Sequence, residues 1–173
     1  MSLTSADAHA IASFKKFYML LPKSDDVALL ILKLHLLVEE QVRAFVDERL
    51  PNAAALEDAK LGCHQAICLA EALSTETIHA KVWEAARKLN SLRNHIAHTL
   101  EFKGVIDRMN SISSLIGIPH QMLKIEGKSL NQAAAENLSF AVSMLHSEIA
   151  LFVKRKPAIV LSIVPESNGE GDA

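Results

Sequence analysis

Apolar residues recur every three or four positions along almost the whole chain, and strand-like alternation is nearly absent before the final residues. This period of about 3.6 residues predicts amphipathic helices and an all-α fold. We expect a bundle of four or five main helices in a single domain over residues 1–156. The predicted helices cover about Ser5–Leu21, Asp25–Leu50, Ala53–Leu73, Glu76–Phe102 and Leu130–Lys156, with a shorter one over Val105–Ile116.

Small polar residues and glycine mark the predicted helix ends. Ser24 stands before two aspartates and is the expected N-cap of the second helix. Gly104 is the expected C-cap of the fourth helix. Ser129 and Gln132 have the spacing of a capping box, which predicts the start of the last long helix. Residues 118–128 are expected to form a loop or lid.

The chain ends in a segment of different character. After Pro157 a β-branched run, Ala158–Val164, precedes a glycine-rich acidic end. We expect residues 157–173 to form a short extended tail that is disordered from Glu166 onwards. The β-branched run is compatible both with an extended arm that packs on a neighbour and with a frayed end.

Composition excludes several classes of protein. The formal net charge is −2, so any bound polyanion must be held by a local basic patch. Aromatic residues make up only 5%, which argues against an RNA-binding sheet of stacking rings. The two cysteines, Cys63 and Cys68, are too few for a disulfide framework and are interpreted as small core residues in a reducing compartment.

The longest apolar run, Val27–Val38, is interrupted by Lys33 and His35 and is shorter than the roughly 20 residues of a membrane span. The first residues do not resemble a signal peptide. We therefore expect a cytoplasmic protein that does not insert into membranes.

The predicted fourth helix has two faces when it is wound at 100° per residue. The expected core face contains Ile78, Val82, Ala85, Leu89, Leu92, Ile96 and Leu100. The opposite face contains Trp83, Arg87, Asn90, Asn94, His98 and Glu101, flanked by Ala86, Arg93 and Ala97. One interpretation is an ordinary solvated face. The other is a groove or dimer seam lined by phosphate-compatible donors, with a histidine that can exchange a proton near neutral pH.

The segment Leu92-Arg93-Asn94-His95-Ile96-Ala97-His98 resembles the signature of the HEPN superfamily (higher eukaryotes and prokaryotes nucleotide-binding). In that signature an arginine and a following polar residue precede a histidine, with four to six residues between arginine and histidine. The preceding Lys88-Leu89-Asn90-Ser91 and the later Glu101 are also similar to bacterial HEPN-like proteins. His35 with Glu39 or Glu40 resembles a further element of that group.

The resemblance implies metal-independent RNA cleavage at a site shared by two copies of the chain. Arg93 would hold the scissile phosphate, Asn94 would orient the phosphate or His98, and His98 would transfer a proton. Asn90, Glu101, His35 and Glu39 would support these residues. Residues expected to guide RNA are Arg87, Lys154 and Arg155. The alternative interpretation of His35 is a buried ring satisfied by Glu39, and that of the Lys154 region is charge stabilisation of a helix end.

The resemblance also implies a toxin or phage-defence role, a homodimer, and a cognate antitoxin or regulatory partner. Some HEPN toxins carry a tyrosine two positions after the histidine, but Leu100 stands there in this chain, which puts silencing by tyrosine modification in doubt. We expect no cofactor and no metal site, although distant helices could still assemble one. The rival hypothesis is a non-catalytic helical module that binds a nucleotide or a protein, or the antitoxin half of such a pair.

Overall fold

The computed structural model describes residues 4–74, 80–99, 103–118 and 129–155. These residues form six α-helices and one short 3₁₀ turn, and no strand occurs among them, which confirms the all-α class. The helices are α1 (Ser5–Leu20), α2 (Val27–Asp47), α3 (Cys63–Ala72), α4 (Ala80–His98), α5 (Val105–Leu115) and α6 (Leu130–Val153), and the 3₁₀ turn covers Ala53–Leu56. The predicted lid from residue 119, the tail and the ends of the predicted fourth helix lie outside the described residues.

Several predicted helix boundaries are corrected by the structure. The N-cap of α2 is Asp26 rather than Ser24, because the Asp26 carboxylate accepts the backbone N–H of Leu29 at 3.0 Å. Gly104 adopts a left-handed conformation (φ 73°) at the N-cap of α5 instead of ending α4. The capping box of Ser129 and Gln132 at the start of α6 is confirmed.

The predicted third helix is wrong in extent. The chain forms the 3₁₀ turn over Ala53–Leu56 and begins α3 only at Cys63, after the N-cap Gly62. Lys60 has a positive φ of 46° in the connecting turns, a conformation that an α-helix cannot contain. The shorter α3 places Cys63 at a helix start, facing α2.

Helices α2 and α6 pack against each other at the centre of the bundle, with α1 and α5 against α6 and with α3 and α4 against α2. Small residues such as Ala134 and Ala141 let α6 approach its neighbours closely. Leu130 has the helical spacing of the buried Ala134 and Leu138, which predicts that it is buried as well, but at the start of α6 it is 81% exposed.

The burial of α4 differs from the two-faced prediction. Val82, Ala85, Leu89 and Leu92 are buried as expected. Trp83 and Ala86 were assigned to the opposite face and are buried as well. The Trp83 ring packs edge-on against Phe45 of α2, with ring centroids 5.3 Å apart. The first half of α4 therefore buries a wider arc than predicted, and its polar surface is reduced to a narrow strip that includes Lys81 and Glu84.

In the ranges that the structure describes, no helix combines the length and the apolar character needed to cross a membrane.

Candidate active site on helix α4

The last two turns of α4 carry the three residues of the predicted catalytic set. Arg93 and Asn94 are half-buried, and His98 is exposed at the final position of the helix. The Arg93 guanidinium donates a hydrogen bond from Nη1 to the Asn94 amide oxygen at 3.0 Å. Arg93 and His98 are five residues apart and therefore point about 140° apart around the helix. One copy of α4 does not direct both side chains at a single phosphate.

A cleft of about 390 Å³ lies between the second half of α4 and the first turns of α2. Arg93 and Ala97 line one side, and Leu29 and Leu32 line the other. Asp26 is at its end, so the cleft combines one guanidinium, one carboxylate and an apolar wall. Exposed apolar residues that lie together in this way are typical of a site that binds another molecule.

Asn90 is directed into the protein rather than toward this cleft. The His35 ring donates from Nε2 to the Asn90 amide oxygen at 3.0 Å, which ties α2 to α4. His35 is 5% exposed, and this burial lowers the pKa of its imidazole. The ring is therefore neutral at neutral pH. The expected support by Asn90 and His35 is thus a buried contact beneath the motif.

Glu39 lies one turn after His35 but does not satisfy it. The distance from His35 Nδ1 to the nearer Glu39 carboxylate oxygen is 3.8 Å, too long for a hydrogen bond. The other carboxylate oxygen accepts two hydrogen bonds from Arg43, at 2.6 and 3.0 Å. The interpretation that Glu39 is the hydrogen-bond partner of the buried His35 is therefore wrong, because that partner is Asn90.

The predicted RNA-guiding cations are distributed over the molecule. Arg87 donates to Glu71 of α3 at 2.5 Å, and this hydrogen bond raises the pKa of the guanidinium. Lys154 pairs with Glu48, and Arg155 lies over the Phe152 ring. Glu48 follows the end of α2, roughly 25 Å along that helix from the cleft. The structure therefore does not bring these two C-terminal cations to the Arg93 cleft.

Glu101, the remaining supporting residue, lies outside the described residues.

The sequence analysis did not predict the surroundings of Cys63. The interpretation of both cysteines as core residues is corrected for Cys68, which is exposed, whereas Cys63 is half-buried and packs against the core. Burial raises the pKa of the Cys63 thiol to about 11. Its sulfur lies close to His35 and Glu39, although these residues are far apart in the sequence. No local spacing signals this proximity, because it depends on how α3 packs on α2.

No protein-family model, curated protein or solved structure matches this chain. The likeness to the HEPN signature therefore rests on residues of the chain itself, chiefly those from Lys88 to His98. Among them, Arg93, Asn94 and His98 have side chains that reach the surface of the described bundle.

Proposed function

We propose that this protein is a HEPN-like endoribonuclease that cleaves RNA at a site composed from two copies of the chain. The observation that carries the proposal is the Arg93 cleft, where the arginine of the Arg93-Asn94-His98 pattern adjoins an apolar wall at the surface. The toxin or defence role follows from the resemblance, and this role and the expected cytoplasmic location are part of the same proposal.

The reaction uses the 2′-hydroxyl of the RNA as its nucleophile. The 2′-oxygen attacks the adjacent phosphorus, the bond to the 5′-oxygen breaks, and a 2′,3′-cyclic phosphate and a 5′-hydroxyl remain. His98 removes the 2′-proton or protonates the leaving 5′-oxygen, a contribution of about 10²–10⁴-fold. Arg93 stabilises the additional negative charge on the phosphate oxygens, and Asn94 orients Arg93 through the bond between them.

A second copy of the chain completes the site. Leu29, Leu32 and Leu36 of α2 are 37%, 39% and 48% exposed beside the cleft, a row of leucines that a partner would cover. Ala97 is exposed and small, so the backbone of a second α4 can approach closely. Pairing of two α4 helices directs the Arg93 of one copy and the His98 of the other at one phosphate, which overcomes the angle between them on a single helix.

The test compares induced expression and purified protein for the wild type and for the double variant Arg93→Ala/His98→Ala. We expect the wild type to slow growth and to leave RNA ends with cyclic phosphates, and the double variant to do neither. His64→Ala is the matched control, because it removes an exposed histidine from α3 and should retain cleavage. Equal cleavage by the double variant would contradict the proposal.

Dimerisation is tested separately by Leu32→Glu, which introduces a charge into the apolar wall. We expect a helical monomer without cleavage activity. An active monomer would show that the site is complete within one chain.

The second candidate is a non-catalytic helical module that dimerises and binds a nucleotide or a protein, including an antitoxin partner. One contact favours it, because Arg87 is paired with Glu71 and is therefore less available to a phosphate. The formal net charge of −2 also favours it, since RNA affinity comes largely from contacts of cations with phosphates. A soluble dimer that neither slows growth nor cuts RNA, but retains a ligand through Arg93, would favour this candidate.

A further inference from the structure

Three side chains with metal-binding atoms meet between α2 and α3. His35 and Glu39 are one turn apart on α2 and share a face, and Cys63 is the first residue of α3. One ligand atom from each of the three lies within 4.8 Å of the others. The sequence gives no spacing motif for this cluster, which forms only when α3 packs on α2.

In His35 and Glu39, the side-chain atom that does not belong to the cluster forms hydrogen bonds with another residue. His35 Nε2–H donates to the amide oxygen of Asn90, which leaves the lone pair on Nδ1. Arg43 donates twice to one oxygen of Glu39, so the other oxygen, 3.8 Å from His35 Nδ1, remains for a ligand. Outer partners of this kind orient the ligands of metal ions in proteins.

His35 Nδ1 is the observation that points to a ligand. The residue is 5% exposed, and its Nδ1 is buried without a hydrogen-bond partner in the described structure. A buried acceptor left without a partner destabilises the folded protein. A metal ion at the centre of the cluster would accept this lone pair and remove that destabilisation.

We propose that His35 Nδ1, Glu39 and Cys63 Sγ bind one divalent transition-metal ion of the zinc class, with a fourth position open to water. A mixed set of imidazole, carboxylate and thiolate selects zinc over magnesium or calcium, which prefer oxygen ligands. Ligand atoms about 2.0–2.3 Å from a tetrahedral zinc lie roughly 3.3–3.8 Å apart. His35 Nδ1 and the Glu39 oxygen are 3.8 Å apart, so they must approach each other by roughly 0.3–0.5 Å to bind one ion.

Cys63 completes the set after a small rotation of its side chain. Cys63 and Glu39 are both half-buried, so their side chains have room to turn. A bound dication deprotonates a coordinating thiol.

The ion connects three helices. It joins α2 to the start of α3, and the bond from His35 to Asn90 extends the connection to α4. It therefore supports the helix that carries Arg93 without touching the proposed RNA-cleaving residues. The metal site does not depend on the proposed ribonuclease activity, and binding of zinc alone tests it.

The experiment measures zinc binding to the full chain by competition with a chromophoric chelator. We expect one zinc per chain for the wild type and a loss of affinity greater than about 100-fold for Cys63→Ala, since even outer-shell changes cost about 10–100-fold. Cobalt should give a thiolate-to-metal charge-transfer band in the wild type that is absent in Cys63→Ala. Glu39→Gln is a second variant, with a side chain of nearly the same shape, and we expect it to weaken zinc binding as well. It tests the proposal if Cys63→Ala does not fold.

Cys68→Ala is the matched control. Cys68 forms a surface pair with His64, whose Nε2 lies 3.7 Å from the Cys68 sulfur, and this pair is the rival site for a soft metal. We expect Cys68→Ala to bind zinc as the wild type does. Zinc binding that is lost in Cys68→Ala and retained in Cys63→Ala would overturn the proposal, as would a wild-type chain that retains no zinc against the chelator.

Discussion

His146 of α6 is a buried histidine whose protonation the fold opposes. The residue is 1% exposed, and its ring lies 5.0 Å from that of Phe17 between centroids. Burial lowers its pKa from 6.5 to about 4; the charge of Glu40 opposes this shift, while His9 and Lys16 add to it. The imidazole is therefore neutral in the folded protein over most of the acid range.

The magnitude follows from linkage between protonation and folding. In the unfolded chain the ring takes up a proton near pH 6.5, whereas in the folded chain it does so only near pH 4. Between these two values the unfolded state binds more protons, so the free energy of unfolding falls as the pH falls. One histidine with this shift removes about 2 kcal/mol of stability between pH 7 and pH 5, and about 3 kcal/mol once the pH reaches 4.

The assay is urea unfolding at pH 7 and pH 5, on the wild type and on His146→Leu. Leucine has a similar volume and no proton to bind, so we expect the variant to lose about 2 kcal/mol less than the wild type over this interval. His64→Leu is the control, because His64 is exposed on α3 and its replacement should retain the wild-type pH dependence.

Two results would refute this reasoning. Parallel losses of stability in the wild type and His146→Leu would show that the ring does not take up its proton on unfolding in this range. An NMR titration in which the His146 ring changes near pH 6.5 would show that its burial does not oppose the charge.

The two other stability predictions concern α4. Trp83→Ala should lower the free energy of unfolding by about 3–5 kcal/mol, because the ring fills the core against Phe45; a loss below about 1 kcal/mol in urea unfolding would contradict its burial. Asn90→Ala should cost about 1–3 kcal/mol, because it leaves the buried Nε2–H of His35 without an acceptor. A thermal melt unchanged from the wild type would contradict this role of Asn90.

Helical periodicity predicted the all-α class and the approximate position of most helices. The prediction succeeded for α2, where Ile31, Leu34 and Val38 repeat at helical spacing and are buried. It failed for α4, where Trp83 was assigned to the polar face. A helical wheel assumes one buried stripe, whereas α4 contacts α2, α3, α5 and α6 and buries a wider arc.

The residues that cap the helices could be predicted from the sequence only in part. Ser129 and Gln132 act within one turn, so their spacing alone identified the start of α6. The N-cap of α2 is Asp26 and not the predicted Ser24. Ser24, Asp25 and Asp26 can all cap a helix, so the sequence alone did not identify which of them does so. Gly104 was correctly expected to lie at a helix end, but the sequence did not show that it precedes α5 rather than follows α4.

The sequence by itself determined that Arg93, Asn94 and His98 lie close together, since residues within two turns of one helix have nearly fixed separations. Only the tertiary structure decided what faces them. The Arg93 cleft with Leu29, the bond from Asn90 to His35 and the approach of Cys63 to Glu39 all join helices distant in sequence. Such contacts depend on how apolar faces pack together, and a periodic pattern specifies which face is buried but not which partner buries it.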